Sequence, residues 1–310
     1  MDGELFRQLY RAAGAVASKD VPPRGTHSDF TILLTLLWAA GNEQPVSWAC
    51  GGGGGGRGNW PLWAWRVSRH LPSPSTMSRR PYTRAFQLVL LRFNDHLRRE
   101  LPGSSLKFLD GKPLLVGGFS KDRQAKRGKV PDGWGRGYKL HAIVNACGAV
   151  EAFCVTPLNA GEATVARDVI VWSGACDLRG ALLLADANYD GNALYAAVAA
   201  AGGRMLAPRR KPGTGLGHHG EPQHPHRLAA IAALEAPAGA PAPGAADGAL
   251  YRLREGIEQA FGLMGNYAGG LRTGLPNHVR GLRRVRLWVA LKVVLYHAYL
   301  LNQDARRAAA

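Results

Sequence analysis

Between residues 106 and 208 the hydrophobic pattern changes from alternation to a mixture of short apolar runs and helical spacing, and this stretch constrains the fold more than any other. The run 106–109 ends on Asp110, and a second apolar run, 114–116, follows. Residues 138–144 and 150–156 alternate and are separated by 145–149, the spacing of a hairpin. Residues 162–172 carry helical spacing, 181–184 form a continuous apolar strand ending at Asp186, 192–201 predict a short helix and 204–208 another strand. Strands in hairpin order followed by helix and strand alternation predict an α/β domain built on a mixed sheet with helices on its faces.

Residues 28–102 instead predict helices. Ser28 or Asp29 can cap a helix with an apolar stripe of Phe30, Leu33, Leu34, Leu37 and Trp38, ended by Gly41 and Asn42. Six glycines at 51–56 would each cost about 1 kcal/mol in a helix relative to alanine, so they predict a loop. Five of the eight tryptophans lie between Trp38 and Trp65, a clustering expected of a small core. In LPSPSTMSRRPYTR (71–84), Ser73 or Ser75 can cap a short helix close to Arg79, Arg80 and Arg84. That combination suits phosphate contact in a helix-turn-helix, the plain alternative being a basic surface turn. An amphipathic helix, 86–101, leads out. Residues 211–248 read as loop, and helices 250–263 and 277–302 close the chain. The division expected is an N-terminal arm at 1–27, free to be disordered, a helical domain at 28–102 and the α/β domain at 103–310.

Charge narrows the function. The chain carries 39 Lys and Arg against 22 Asp and Glu, a net +17. A folded protein this basic meets a polyanion, nucleic acid ahead of an anionic membrane. The excess is segregated: 51–100 holds 9 basic and 2 acidic residues and 101–150 holds 9 and 3, whereas 151–200 holds 2 and 6. This pattern suggests a polyanion-binding shell around an acidic centre that holds cations. The four cysteines form no CxxC and no zinc spacing. Nothing near Met1 reads as a signal peptide. The apolar runs 30–40 and 287–301 fall short of the about 18 residues that suggest a membrane span, and the second contains Lys292 and His297. A cytoplasmic, nucleoid-associated protein with no membrane partner is expected.

Three carboxylates stand where burial makes charge costly. Asp110 follows the first strand, Asp186 ends ALLLAD, and Glu258 lies on the helix YRLREGIEQAF. Such groups need a cationic partner or a metal. Their oxygen ligands suit hard divalent ions, two of which, about 3.5–4 Å apart, can clamp the attacking and leaving oxygens of a phosphodiester. Tyr251, Arg254 and Glu258, at i, i+3 and i+7, share one helical face. A guanidinium one turn from a carboxylate is well placed for a phosphate.

FLDGKPLLVGGFSKDRQAKRG (108–128), GWGRGYKLHAIVN (133–145), VTPLNAGEATVA (155–166), LLADANYDGNALY (183–195) and the Tyr-Arg-Glu helix occur in this order over about two-thirds of the chain. Together they resemble the DDE transposases of bacterial insertion sequences, in the insertion-sequence-four and five group. The resemblance implies an RNase-H-like catalytic domain preceded by a helical DNA-binding domain. Asp110, Asp186 and Glu258 are its acidic triad, holding two Mg²⁺ for which Mn²⁺ can substitute. Tyr251 and Arg254 act on DNA near the transposon end. The family's Lys seven residues after the Glu is replaced by Gly265. The implied partners are double-stranded DNA, as terminal inverted repeats and target, and a second copy of the chain on that DNA.

The charged stretch after Asp110, with Lys121, Arg123, Lys126, Arg127 and Lys129, is expected to be a mobile basic loop contacting phosphates. Arginines 280, 283, 284 and 286 can add to that contact. His218, His219, His224 and His226 lack a nearby cysteine and are not assigned a zinc site. The glycine run has no following GK[ST] and is no P-loop. His141 reads as a packed core residue. Two rival functions stay open: an inactive remnant that only binds DNA, and a nuclease or resolvase of the same fold.

Overall fold

A computed structural model describes residues 1–20, 26–50, 59–61, 70–171, 176–210, 216, 222–235, 250–267 and 269–309. The glycine run, Trp63, Trp65, His218, His219 and the Ala, Pro and Gly tract of 236–248 lie outside these residues. The chain divides into two compact units: Met1–Leu101 with Met264–Arg272 and Pro276–Ala310, and Pro102–Leu263 with Thr273–Leu275.

The first unit is helical among its described residues. Helix α1, Gly3–Val16, is capped by Asp2, whose carboxylate accepts from the Glu4 and Leu5 amides at 3.0 and 2.8 Å. Residues 1–27 were expected to be a free arm, but Leu5, Phe6, Leu9, Ala12 and Ala13 form a buried stripe at helical spacing. Helix α2, Asp29–Gly41, is capped by Ser28 and buried from Phe30 to Gly41, as befits a helix apolar all round. Phe6 meets Trp38 and Trp60 edge-on at 5.6 and 6.0 Å, and Trp38 stacks on Trp60 at 5.2 Å, so these two tryptophans are core.

Two further short helices follow, α3 at Val46–Ala49 and α4 at Pro74–Arg79, the latter capped by Ser73 and followed by a 3-10 turn at Arg80–Tyr82. Helix α5, Arg84–Arg99, buries Phe86, Leu90, Phe93 and Leu97. The closing helix, Leu282–Ala309, belongs to this unit as well. Its Lys292 is fully buried and donates to the carbonyls of Ala40, at 2.7 Å, and Gly269, capping the end of α2. Burial lowers the pKa of Lys292 to about 8 even though Glu43 lies 3.9 Å away. This lysine is therefore a structural cap.

The second unit is built on a mixed sheet. Its strands are β1 (Leu106–Leu115), β2 (Lys126–Val130), β3 (Gly133–Asn145), β4 (Val150–Pro157), β5 (Leu182–Ala185) and β6 (Arg204–Leu206). The order is β2-β3-β1-β5-β6, with β4 also on β3. Strands β1, β3 and β4 are antiparallel neighbours, and β5 and β6 run parallel to β1. Helices α6 (Glu162–Val165), α7 (Asn192–Ala200), α8 (Pro225–Glu235) and α9 (Glu255–Asn266) complete the unit. A mixed sheet with flanking helices fits an RNase-H-like domain.

Three departures from the sequence reading have physical reasons. The runs 106–109 and 114–116 are one strand, because β3 pairs with β1 continuously from Lys107↔Asn145 to Leu115↔Gly137. Gly137 permits this: a Cβ there would lie 2.1 Å from the Leu114 carbonyl oxygen. The helix expected at 162–172 passes from α6 into a π turn at Ala166–Val171. Helix α8 lies where only loop was expected, with Pro225 in its first turn. Arg227 on α8 is buried and forms a two-pronged pair with Asp190, Nε to Oδ1 at 2.6 Å and Nη2 to Oδ2 at 2.7 Å.

Candidate active site

Strands β1 and β5 run parallel with Phe108 beside Leu184 and Leu109 beside Ala185. The next residue on each strand is a carboxylate, Asp110 and Asp186, and adjacent strands lie about 4.8 Å apart. Both therefore stand at the carboxyl end of β5, where parallel strands present their ligand sites. Asp110 continues in β1 opposite Ala142 and accepts from the Gly111 amide at 2.7 Å. At Asp186 the chain leaves the sheet. Its side chain accepts from the Asn188 amide at 2.8 Å and from Asn188 Nδ2 at 3.1 Å, capping the 3-10 turn Ala187–Tyr189.

The third element arrives through Tyr251, whose hydroxyl donates to the Ala185 carbonyl at 3.1 Å, one residue before Asp186. A 3-10 turn, Arg252–Arg254, precedes α9, so Tyr251 and Arg254 do not share one regular α-helix with Glu258 as expected. Such tightening is common at a helix start. Arg254 still reaches both neighbours: Nη1 lies 3.9 Å from Asp110 Oδ2, and Nη2 lies 3.3 Å from Glu258 Oε1. Gly256 lets the helix approach, since a Cβ there would stand 3.1 Å from the Phe108 ring. Tyr251, Arg252, Arg254, Glu255, Glu258 and Gln259 line an open concavity of about 640 Å³. Its open form suits a polymer backbone.

Burial pushes the Asp110 carboxyl up to about 6. The Gly111 amide opposes this, Asp186 adds to it, Arg254 opposes it and Glu162 adds to it. A desolvated carboxyl whose charge a neighbouring aspartate further disfavours is a site that a cation relieves. Glu258 is different, with a side chain 65% exposed. Among the described residues, no group of three or more His, Cys, Asp or Glu side chains is already gathered as a metal site.

The family model of the transposase DDE domain matches residues 102–297. The chain belongs to this family. No curated protein and no solved structure matches it. Transposase DDE domains generally use divalent metal ions. The all-oxygen set of Asp110, Asp186 and Glu258, with its desolvated aspartate, fits that class of ion. The match also takes in residues 276–297, which group with the N-terminal helices.

Within the transposase domain, Lys121, Arg123, Lys126, Arg127 and Lys129 are all exposed. They do not form the free loop expected. Residues 126–130 pair with β3 as a ribbon, and Arg136 holds the preceding loop by donating to the Ser120 and Ala125 carbonyls at 2.8 and 3.2 Å and to that of Asp122. In the helical unit Arg79 and Arg84 are exposed, whereas Arg80 is paired with Asp29. Helix α4, which ends at Arg79, has six residues.

Sequence reasoning missed two groups beside Asp110. Glu162 pairs with Lys139 at 2.5 Å, and its charge reaches Asp110. Tyr189 is fully buried, with no partner for its hydroxyl among the described residues. Burial, then Glu162, Asp110 and Asp186, raise its pKa well above the ordinary value. Both residues lie inside quoted motifs, VTPLNAGEATVA and LLADANYDGNALY, which was the available signal. His141 is buried, bonded through Nε2 to Thr156 Oγ1 at 2.9 Å, and lowered to about 3 by burial, as a neutral core histidine should be. His224 and His226 lie with ring centroids 5.3 Å apart. No helix among the described residues is long and apolar enough to cross a membrane.

Proposed function

We propose that the chain binds the ends of an insertion sequence of the four and five group and catalyses strand cleavage and strand transfer there. The observation that carries this is the position of Asp110, midway along β1, and Asp186, just past the end of β5, each one residue beyond the paired Leu109 and Ala185 of these parallel strands, inside a transposase DDE domain. Asp110, Asp186 and Glu258 would hold two Mg²⁺, which when bound supply an activated attacking oxygen and charge stabilisation for the leaving oxygen.

The remaining roles belong to the chain. Arg254 neutralises phosphate charge beside Asp110 and keeps Glu258 near it. Tyr251, tethered to Ala185, positions the strand. The exposed cations Lys121, Arg123, Lys126 and Arg127, with Arg79 and Arg84 of the helical unit, bind backbone phosphates. Arg80 keeps α2 and the 3-10 turn after α4 together rather than contacting DNA, because Asp29 already holds it. Two copies, one on each end, would hold the ends together.

A duplex carrying the inverted repeat read from the DNA flanking the gene is the substrate for the test. The unsubstituted chain nicks it in Mg²⁺ and joins the released 3′-OH to target DNA. Asp110→Ala abolishes cleavage and leaves end binding intact; equal loss of both counts against the assignment. Gly265 favours one rival, a chain that binds ends without cutting, and absence of nicking by the unsubstituted chain would establish it. Cleavage without joining would instead indicate a nuclease.

A further inference from the structure

The ribbon formed by β2 and the start of β3 carries a feature that phosphate binding leaves unexplained. Trp134 is 71% exposed and Phe119 is fully exposed, among the most exposed large apolar side chains of the described residues. Single exposed apolar residues are ordinary. These two are set among cations: Lys129 is the cross-strand partner of Trp134, Lys126 and Arg127 precede Lys129 on the same strand, and Lys121 and Arg123 come two and four residues after Phe119. The loop bearing Phe119 is fixed to the ribbon. Arg136 donates to the Ser120 carbonyl, and Tyr138 donates to Asp122 Oδ2 at 2.7 Å. Both rings are thus presented on a built support.

We propose that Trp134 and Phe119 form a stacking platform for unpaired bases of the DNA strand lying along the ribbon. The inference rests on the reading that the chain acts on DNA and adds which part of it this surface takes. Exposed aromatics interleaved with basic residues are what a single-strand platform requires, since rings stack on base faces while cations track the backbone. In a duplex those faces are covered by neighbouring bases. A second copy of the same surface is a poor occupant, because five like charges would confront five more. Position agrees. Asp110 pairs with Ala142, and Trp134 lies eight residues earlier on β3, about 27 Å along the strand at ~3.4 Å per residue. The platform therefore meets DNA away from the cut, on the side toward which β1 runs from Asp110.

The full chain, labelled oligothymidylate of about 30 nucleotides and a duplex of the same length test it by fluorescence anisotropy, both probes exceeding the ~4–16 nucleotides that one such platform covers. Trp134→Ala is expected to weaken oligothymidylate binding about tenfold and duplex binding less than about twofold, with Trp134→Phe restoring most of the loss. Phe119→Ala should act in the same direction. The salt dependence should stay unchanged in Trp134→Ala, whereas Lys129→Ala lowers its slope by about 0.7 on the single strand. Equal affinity of parent and Trp134→Ala for oligothymidylate overturns the platform. So does light scattering that shows a parental dimer separated by Trp134→Ala. Failure of the parent to bind either probe or to nick its end duplex removes the DNA reading itself, a result distinct from failure of the platform alone.

Discussion

Asp186 and Asp190 stand four residues apart after the same strand, and their surroundings are opposite. Asp190 is sealed against Arg227 by two short hydrogen bonds and also accepts from the Arg210 amide at 3.0 Å. Among the described residues Asp186 accepts from Asn188 alone, through its amide and its side chain, and it remains partly open beside a second, desolvated carboxylate. The buried charge of Asp190 is matched within the fold, while Asp186, which we propose as a metal ligand, has no cationic partner among the described residues. The motif LLADANYD holds both kinds, so residue type and spacing do not separate them; their partners do.

Substitution should split the pair. Asp186→Asn is expected to lower Mg²⁺-dependent nicking by about 10³-fold or more, equivalent to about 4 kcal/mol, with little change in melting temperature. Asp190→Ala should do the reverse in kind, costing about 3–5 kcal/mol of stability in denaturant unfolding because Arg227 is left buried without its partner. If Asp190→Ala spares stability and removes nicking, the contrast collapses.

A pH series sharpens it. The folded value of Asp110, about 6, lies above its ordinary 3.8. Between these values the folded chain holds a proton that the unfolded chain has released, so in metal-free buffer stability falls as pH rises through that window. At about 1.4 kcal/mol per pH unit the loss is up to about 3 kcal/mol, less the screening at its partly exposed oxygens. Asp110→Asn should therefore melt higher than the parent at pH 7.5, by a margin that shrinks toward pH 4. Added Mg²⁺ should narrow the margin by stabilising the parent alone. The smallest effect is that of Tyr251→Phe, which loses one hydrogen bond and about 1 kcal/mol of stability. A larger fall in nicking than in stability would identify the tether as a device that orients the site.

Much of the sheet was legible because β5 is a short buried apolar run and because β3 and β4 carry apolar residues on either side of the short connection 145–149, the spacing of a hairpin. The triad positions were legible because carboxylates beside such runs are conspicuous. What the sequence hid depends on pairing. Ribbon β2, KRGKV, has no apolar alternation and is a strand only because β3 accepts it. Helix α8 depends on the distant partner Asp190. The pairing of Arg80 with Asp29, 51 residues away, is invisible to local spacing. Lys139 and Glu162 likewise meet only through the fold. Helix α1 was within reach, since its buried residues recur at helical spacing.

The bond from Tyr251 to the Ala185 carbonyl has a consequence for how such a chain can diverge. It fastens the segment that leads into the helix of Glu258 to the last residue of β5, while the Asp190 and Arg227 pair fastens α8 independently. Chain between residues 235 and 250 joins two points that are each already secured. Lengthening such a connection costs only about 0.6 kcal/mol per doubling. A change of length there therefore leaves the pairing of β1 with β5, and with it the placement of Asp110 near Asp186, unchanged.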